Sequence, residues 1–322
     1  MDNRLTKRRL SDFLAYEWIL MIIVAIVAIV VLELAYTMAA TRLSTGQQFK
    51  YYMDEDLYSF NASDKNVYYL LGVETGKNGK TFSYDVLSVE AETLTPSYNV
   101  LSVRLSVQEG DAIFTSSVEK EDSSVRVKQI IDEYSVYHME GENGLLARAE
   151  NYLKAFTVDG GDIYTESDYD ENKIRAHFDV RMKGDNRFRT ETEKGEGRQN
   201  EIGRIKKLAK EVKDFKTLLS VGEEKGLFYR YTKYGQTVAA SPDDENYKAV
   251  YEKETEHIYG INMGAFTGGK KNVSEYLKIT GTDSAENVVL VLFDFGRYQE
   301  DLQFECISFV NTLVREFSDF LE

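Results

Sequence analysis

The chain has 322 residues, 43% hydrophobic and 29% charged, with two prolines and 22 glycines, which excludes a disordered chain, a proline-rich stalk and a collagen-like rod. Its net charge of −15 is unevenly placed: residues 1–42 carry five basic and four acidic side chains, so residues 43–322 hold −16. A region that acidic repels a phosphate backbone, which excludes nucleic acid as a partner and leaves a soluble, self-repelling surface.

Residues 1–17 form a basic tail containing Arg4, Lys7, Arg8 and Arg9. From Trp18 to Leu32 the chain reads WILMIIVAIVAIVVL, fifteen residues without a charge; Glu33 interrupts, and LAYTMAA continues to Ala40. The 23-residue span 18–40 rises about 34 Å at 1.5 Å per residue, enough to cross a hydrocarbon core of roughly 30 Å, and predicts a single transmembrane helix. The basic cluster before it, against Arg42 alone after it, places the tail in the cytoplasm and the rest outside the cytoplasmic membrane, with the lipid bilayer as a partner through Trp18 to Ala40. A cleaved signal peptide is the alternative, since Thr37–Ala39 resembles a small-residue cleavage site. The length of the run and the position of Glu33 favour a retained anchor. Glu33 itself has two readings, reaching the headgroups or pairing with a cation on a partner membrane protein, and the residues leave both open.

Residues 41–66, mixed polar around Asp54–Asp56, read as a juxtamembrane connector, and 67–322 as an extracytoplasmic α/β domain of one or two lobes. Val67–Val73, Thr81–Ala91, Asn99–Val107 and Asp111–Ser116 read as strands, the last short and apolar at its centre as a buried parallel strand is. Val127, Ile130, Ile131, Tyr134 and Tyr137 make one helical stripe; Leu145, Leu146, Ala149, Tyr152, Leu153 and Phe156 make another. Gly160–Asn172 reads as loop, Ile174–Met182 as strand and Lys183–Glu201 as an exposed loop. Ile202, Ile205, Leu208, Val212, Phe215 and Leu219 define an amphipathic helix closed by Gly222, with Lys206, Lys207, Lys210, Lys213 and Lys216 as a solvated face or a membrane-surface one. Gly226–Ala240 reads as a hairpin, Tyr247–Met263 as extended, Glu286–Gly296 as the strongest strand, and Gln299–Phe320 as a closing helix.

The chemistry-bearing residues are sparse. The single cysteine, Cys306, excludes an internal disulfide and, far from the apolar run, a lipid-modified cysteine after it; its helical spacing with Leu302, Phe309, Leu313 and Phe317 makes it core. His138, His177 and His257 are scattered without a second ligand at metal or triad spacing. GAFTGGKK (Gly264–Lys271) lacks the final hydroxyl of a phosphate-cradling loop, and Asp168, Asp170 and Asn172 start a calcium loop that Lys173 and Asp179 then break. Asn61-Ala-Ser63 and Asn272-Val-Ser274 match the short glycosylation pattern. No catalytic residue, metal site or cofactor fingerprint emerges, so the expectation is a non-enzymatic protein.

LSVRLSVQEGDAIFTSS (Leu101–Ser117) resembles a segment of extracytoplasmic solute-binding proteins of the ABC-transporter type, with Gly110, Asp111, Ala112, Ile113 and Phe114 leading to hydroxyls at Thr115, Ser116 and Ser117. YGINMGAF (Tyr259–Phe266) resembles the strand by which such proteins return across their hinge. The resemblance implies Thr115, Ser116 and Ser117 at a ligand cleft, a small-molecule ligand and a transporter as partner. The chain departs from the family in lacking the anchoring cysteine and in being short for two full lobes. The alternative is a bacterial cell-envelope scaffold acting through partner proteins.

Overall fold

A computed structural model describes residues 18–39, 48–59, 88–94, 97–185, 188–237, 250–253, 256–294 and 302–321. The basic cluster Arg4, Lys7, Arg8 and Arg9, the strand expected at Val67–Val73 and the Asn61 acceptor lie outside the described residues. The chain divides into two compact units, residues 1–42 and 43–322.

In the first unit Trp18–Ala39 forms the helix α1, and its side chains from Ile22 to Leu34, Glu33 among them, are exposed. Among the described residues no helix is long and apolar enough to cross a membrane. The transmembrane helix expected over residues 18–40 is therefore corrected. Fifteen uncharged residues rise only about 22 Å, short of a core of roughly 30 Å, and the longer span depended on counting Glu33 as embedded.

The second unit keeps the α/β class. Its six-stranded mixed sheet has the order β3-β1-β4-β10-β8-β5, where β1 is Gln48–Met53, β3 Ser88–Thr93, β4 Ala112–Ser116, β5 Phe228–Tyr231, β8 His257–Asn262 and β10 Val288–Leu292. β3, β1 and β4 run parallel, with Tyr51 beside both Ala91 and Ala112; β10 is antiparallel to β4, β8 to β10 and β5 to β8. Two small sheets pair β2 (Leu57–Ser59) with β9 (Leu277–Ile279) and β6 (Tyr234–Thr237) with β7 (Val250–Lys253). The connector expected at 41–66 is corrected by β1, whose QFKYYM is buried from Phe49 onward and lies inside the sheet.

Side-chain alternation sorts each central strand between two cores. Phe49, Tyr51, Ala112, Phe114, Val288 and Leu290 face one cluster, Tyr52, Ile113, Val289 and Val291 the other. The first is covered by α4 (Leu145–Lys154), α5 (Glu171–Arg181), α6 (Glu191–Gly222) and α7 (Glu305–Phe317), with Phe309 stacked 4.6 Å from Phe49. The second is covered by α2 (Ser97–Ser106) and α3 (Arg126–Glu133). Three layers result, helices on both faces of the sheet.

Several elements differ from expectation for identifiable reasons. Leu101, Val103, Leu105 and Val107 fit a period of two, yet this segment is α2: only Leu101 and Leu105, one turn apart, are buried, while Val103 and Val107 stay 64% and 66% exposed. Ile174–Met182 falls mainly in α5, which buries Ile174 and Phe178 at the same spacing and is capped by Asp170. The expected hairpin Gly226–Ala240 is corrected because β5 pairs with β8 while β6 pairs with β7.

The charged segment Lys183–Glu201 also differs, since α6 starts at Glu191 inside it. Thr190 accepts from the Glu193 backbone N–H at 3.2 Å and the Glu193 carboxylate accepts from the Thr190 N–H at 2.8 Å, a reciprocal capping box. Thr190→Ala is expected to lower stability by about 1 kcal/mol in urea denaturation, because it strands one end of that box.

Helices α6 and α7 meet through buried charge. Arg204, 2% exposed, reaches Glu201 at 2.8 Å, Glu305 at 3.0 Å and the Tyr152 hydroxyl at 3.0 Å. Glu201 also holds Arg181 at 2.7 Å. About two turns further on, Asn311 donates to Glu211 at 2.8 Å, and Arg315 bridges Glu211 and Asp214.

Candidate functional site

The residues singled out by sequence stand at the carboxyl end of β4, where β1 also ends. Asp54 follows β1 directly and is fully buried. Its backbone N–H donates to the Phe114 carbonyl at 3.0 Å, which fixes its carboxylate beside β4. Thr115 Oγ1 and Arg126 Nε both donate to Asp54 Oδ2 at 2.9 Å, and the Glu55 N–H donates to Oδ1 at 3.1 Å. Thr115 is therefore a buried strut and not a surface hydroxyl. The carboxylate and the guanidinium, 0% and 6% exposed, compensate one another in the interior next to the ends of β1 and β4.

Ser116 and Ser117 point to different hollows, as successive residues leaving a strand do. Ser116 Oγ accepts from the Val118 N–H at 3.1 Å and lies in the wall of an open groove of about 770 Å³. Ser117 donates through its N–H and Oγ to the Asn287 carbonyl at 2.9 and 3.2 Å, beside a smaller hollow of about 300 Å³ with Asn262 and Gly264.

The groove is walled by Asp56, the loop Val118–Asp122, and Ile279 and Thr280 at the end of β9. That loop is a closed device: Glu119 bridges Val125, the Lys120 N–H donates to the Ser124 carbonyl at 2.9 Å, and Ser123 takes a φ of +64°. Asp122 caps it by accepting from the Ser124 N–H at 3.0 Å, and hydrogen bonding from Ser124 holds its carboxyl below the usual range. Lys120 reaches across to Asp56 at 2.7 Å, and that hydrogen bond raises its pKa. Four carboxylates against one ammonium make the wall anionic.

No family model, curated protein or solved structure matches this chain.

The other candidates are occupied by structural tasks. Asp170 caps α5 through the Asn172 and Lys173 N–H groups, Asp168 accepts from the Asp162 N–H, and Asp179 pairs with Arg198, so the calcium-loop carboxylates serve helix ends and ion pairs. Among the described residues no three His, Cys, Asp or Glu gather as a metal site. Cys306 is buried, and burial pushes its thiol well above the ordinary range. On the lysine face of α6, Lys206 pairs with Glu171 at 3.3 Å and Lys216 with Glu150 at 3.0 Å, which draws both away from a lipid surface. Glu33 stands exposed on α1. Asp54 and Arg126 were missed by sequence reasoning. DED after QFKYYM, with an acidic residue closing an apolar run, was the available signal for Asp54, whereas Arg126 sits in a polar stretch with no signal at all.

Proposed function

We propose that residues 43–322 are a non-enzymatic binding domain of the cell envelope whose groove beyond β1 and β4 receives a protein segment bearing basic side chains. The carrying observation is the groove itself: about 770 Å³, open to solvent and walled mostly by charged side chains, with Asp56 of its wall two residues beyond the buried Asp54–Arg126 pair. Small-molecule pockets are enclosed, whereas this groove is open to solvent, and residues 43–322 form one compact unit. The scaffold reading thus fits better than capture of a free solute. Solute capture, by analogy with the solute-binding proteins, keeps one observation in its favour, the position at the carboxyl ends of parallel strands, where ligands of open α/β sheets bind.

The test uses the full chain in its native membrane, with a photo-crosslinking residue in place of Val118 in the groove wall or of Val180 on α5. A discrete adduct at position 118 only, lost when Glu119, Glu121 and Asp122 are changed to lysine, is the expected result. Equal adducts at both positions, or an adduct indifferent to the charge reversal, would reject the groove as the site. Stabilisation of the chain by a soluble sugar, amino acid or peptide in a thermal-shift screen would instead favour the solute reading.

We also propose that the protein works at the membrane. Exposed Ile, Val and Leu from Ile22 to Leu34 are unfavourable in water, and lipid is the cover that accepts them without specific pairing. Full-length protein is expected in the membrane pellet after a high-salt wash. Ile26→Asp combined with Val27→Asp should move most of it to the supernatant, and an unchanged pellet fraction would refute the role of α1.

A further inference from the structure

The fold brings together two of the three histidines, at the end of the sheet opposite the groove. After α3, the segment Val136–Met139 runs between the diverging ends of β10 and β8. Val136 bridges Phe293, the Tyr137 N–H donates to the Leu292 carbonyl at 2.9 Å, and the Met139 N–H donates to the Ile258 carbonyl at 2.8 Å. His138 stands on this segment and His257 opens β8; their rings stack with centroids 4.6 Å apart and planes at 28°. Tyr259 turns its ring roughly perpendicular to both, at 6.2 and 6.3 Å. Gly141, at a φ of +87°, makes the turn beneath, where a Cβ would lie 3.7 and 3.9 Å from the two imidazoles. His138 Nδ1 lies 2.6 Å from the Glu140 carbonyl oxygen, which can only accept, so Nδ1 carries a proton in the neutral ring.

We propose that the His138–His257 stack is a proton-sensitive clasp that holds Val136–Met139 in the sheet near neutral pH and releases it on acidification. Imidazole is the side chain whose charge changes in that range, and neutral rings stack where two imidazolium rings repel. The charged groups around the pair decide how many protons it takes. Glu140, on the segment of His138, is bound to Arg230 of β5 at 2.8 Å, and Arg230 also holds Glu223 at 2.7 Å. Asp132 of α3 accepts from Tyr231, the residue paired with His257, and Glu256 precedes His257. These carboxylates compensate a first proton. A second meets the first across the stack, with the Arg230 cation nearby. Two imidazolium charges in rings stacked 4.6 Å apart repel one another, and that repulsion is what opens the clasp on acidification.

The experiment compares thermal unfolding of the full chain in detergent at pH 7.5 and 5.5 for the wild type, His138→Phe, His257→Phe and His177→Phe. Phenylalanine keeps the stacking surface without the charge, and reading the difference between the two pH values separates the clasp from any general loss of stability. The wild type and His177→Phe are expected to lose on the order of 4 °C on acidification, and the other two variants less than half of that. His257→Asn substitutes for either variant that fails to fold. Protection of the Tyr137 and Met139 amides, their exchange relative to the intrinsic rate at the same pH, should fall at pH 5.5 in the wild type and His177→Phe but not in the other two variants. An equal acid loss in all four proteins, a loss abolished by His177→Phe, or unchanged protection at those amides would overturn the clasp.

Discussion

Asp54→Ala is expected to lower stability by about 3–5 kcal/mol, because it leaves Arg126 buried without its carboxylate and Thr115 without its acceptor. The size follows from burial. An exposed pair of the same length contributes at most about 1 kcal/mol, whereas a guanidinium that is 6% exposed keeps the whole desolvation penalty once its partner is gone. Urea denaturation of the purified chain measures it. Thr115→Val removes one neutral donor and should lower stability by only about 1–2 kcal/mol. Combining Asp54→Ala with Arg126→Met removes both charges and should recover part of the loss, and a double variant no better than the single would show that the pair matters for packing and not for charge. If the buried pair fixes the neighbouring Asp56 in the groove wall, Asp54→Ala should also weaken the Val118 crosslink while Thr115→Val leaves it standing.

The second large effect belongs to the helical layer. Arg204→Met is expected to lower stability by about 3–5 kcal/mol, since two carboxylates, Glu201 at 2% and Glu305 at 4% exposure, then lie buried without their shared cation. Arg181 keeps hold of Glu201, so the harsher consequence falls on Glu305, and adding Glu305→Gln to Arg204→Met should restore part of the stability. A pH signature accompanies the change. Burial alone would raise the Glu201 carboxyl, but the hydrogen bond and charge of Arg204, with Arg181, bring it below the usual glutamate range. A folded-state pKa lowered in this way stabilises the protein above the ordinary glutamate value, and the contribution fades as the pH falls through the lowered one. The wild type should therefore lose stability over that acid interval more steeply than Arg204→Met. Parallel curves would assign the loss to packing.

How much of this was legible depends on how local each signal was. Asp111–Ser116 reads as a buried strand because it is short and apolar at its centre, and Ala112–Ser116 is one, parallel to β1. The stripe from Ile202 to Leu219 reads as a helix because its apolar residues recur every three or four positions, and it lies within α6. Leu101–Val107 failed because Leu and Val at every second position satisfy two periods at once, and only packing selects Leu101 with Leu105. Lys183–Glu201 failed because composition outweighed a capping box that was present as Thr190-x-x-Glu193. Reading a membrane crossing into residues 18–40 depended on carrying the span past Glu33 to Ala40, since the uncharged run ends at Leu32. For the site, the hydroxyls after β4 were visible, but the Asp54–Arg126 pair spans 72 positions, and the stacked histidines are joined only by the sheet. No spacing rule reaches that far.

The change from parallel to antiparallel pairing at β4 carries a consequence for biosynthesis. β4 meets its neighbour β10 through contacts such as Ser117 with Asn287, separated by 170 residues. At a ribosomal rate of about 5–20 residues per second, β4 waits roughly 9–34 s with one hydrogen-bonding edge unfilled. During that interval the nascent chain exposes Ile113 and Phe114 to whatever strand arrives first, so a holdase or a fast-translating 3′ half of the message would decide the yield of correctly paired protein.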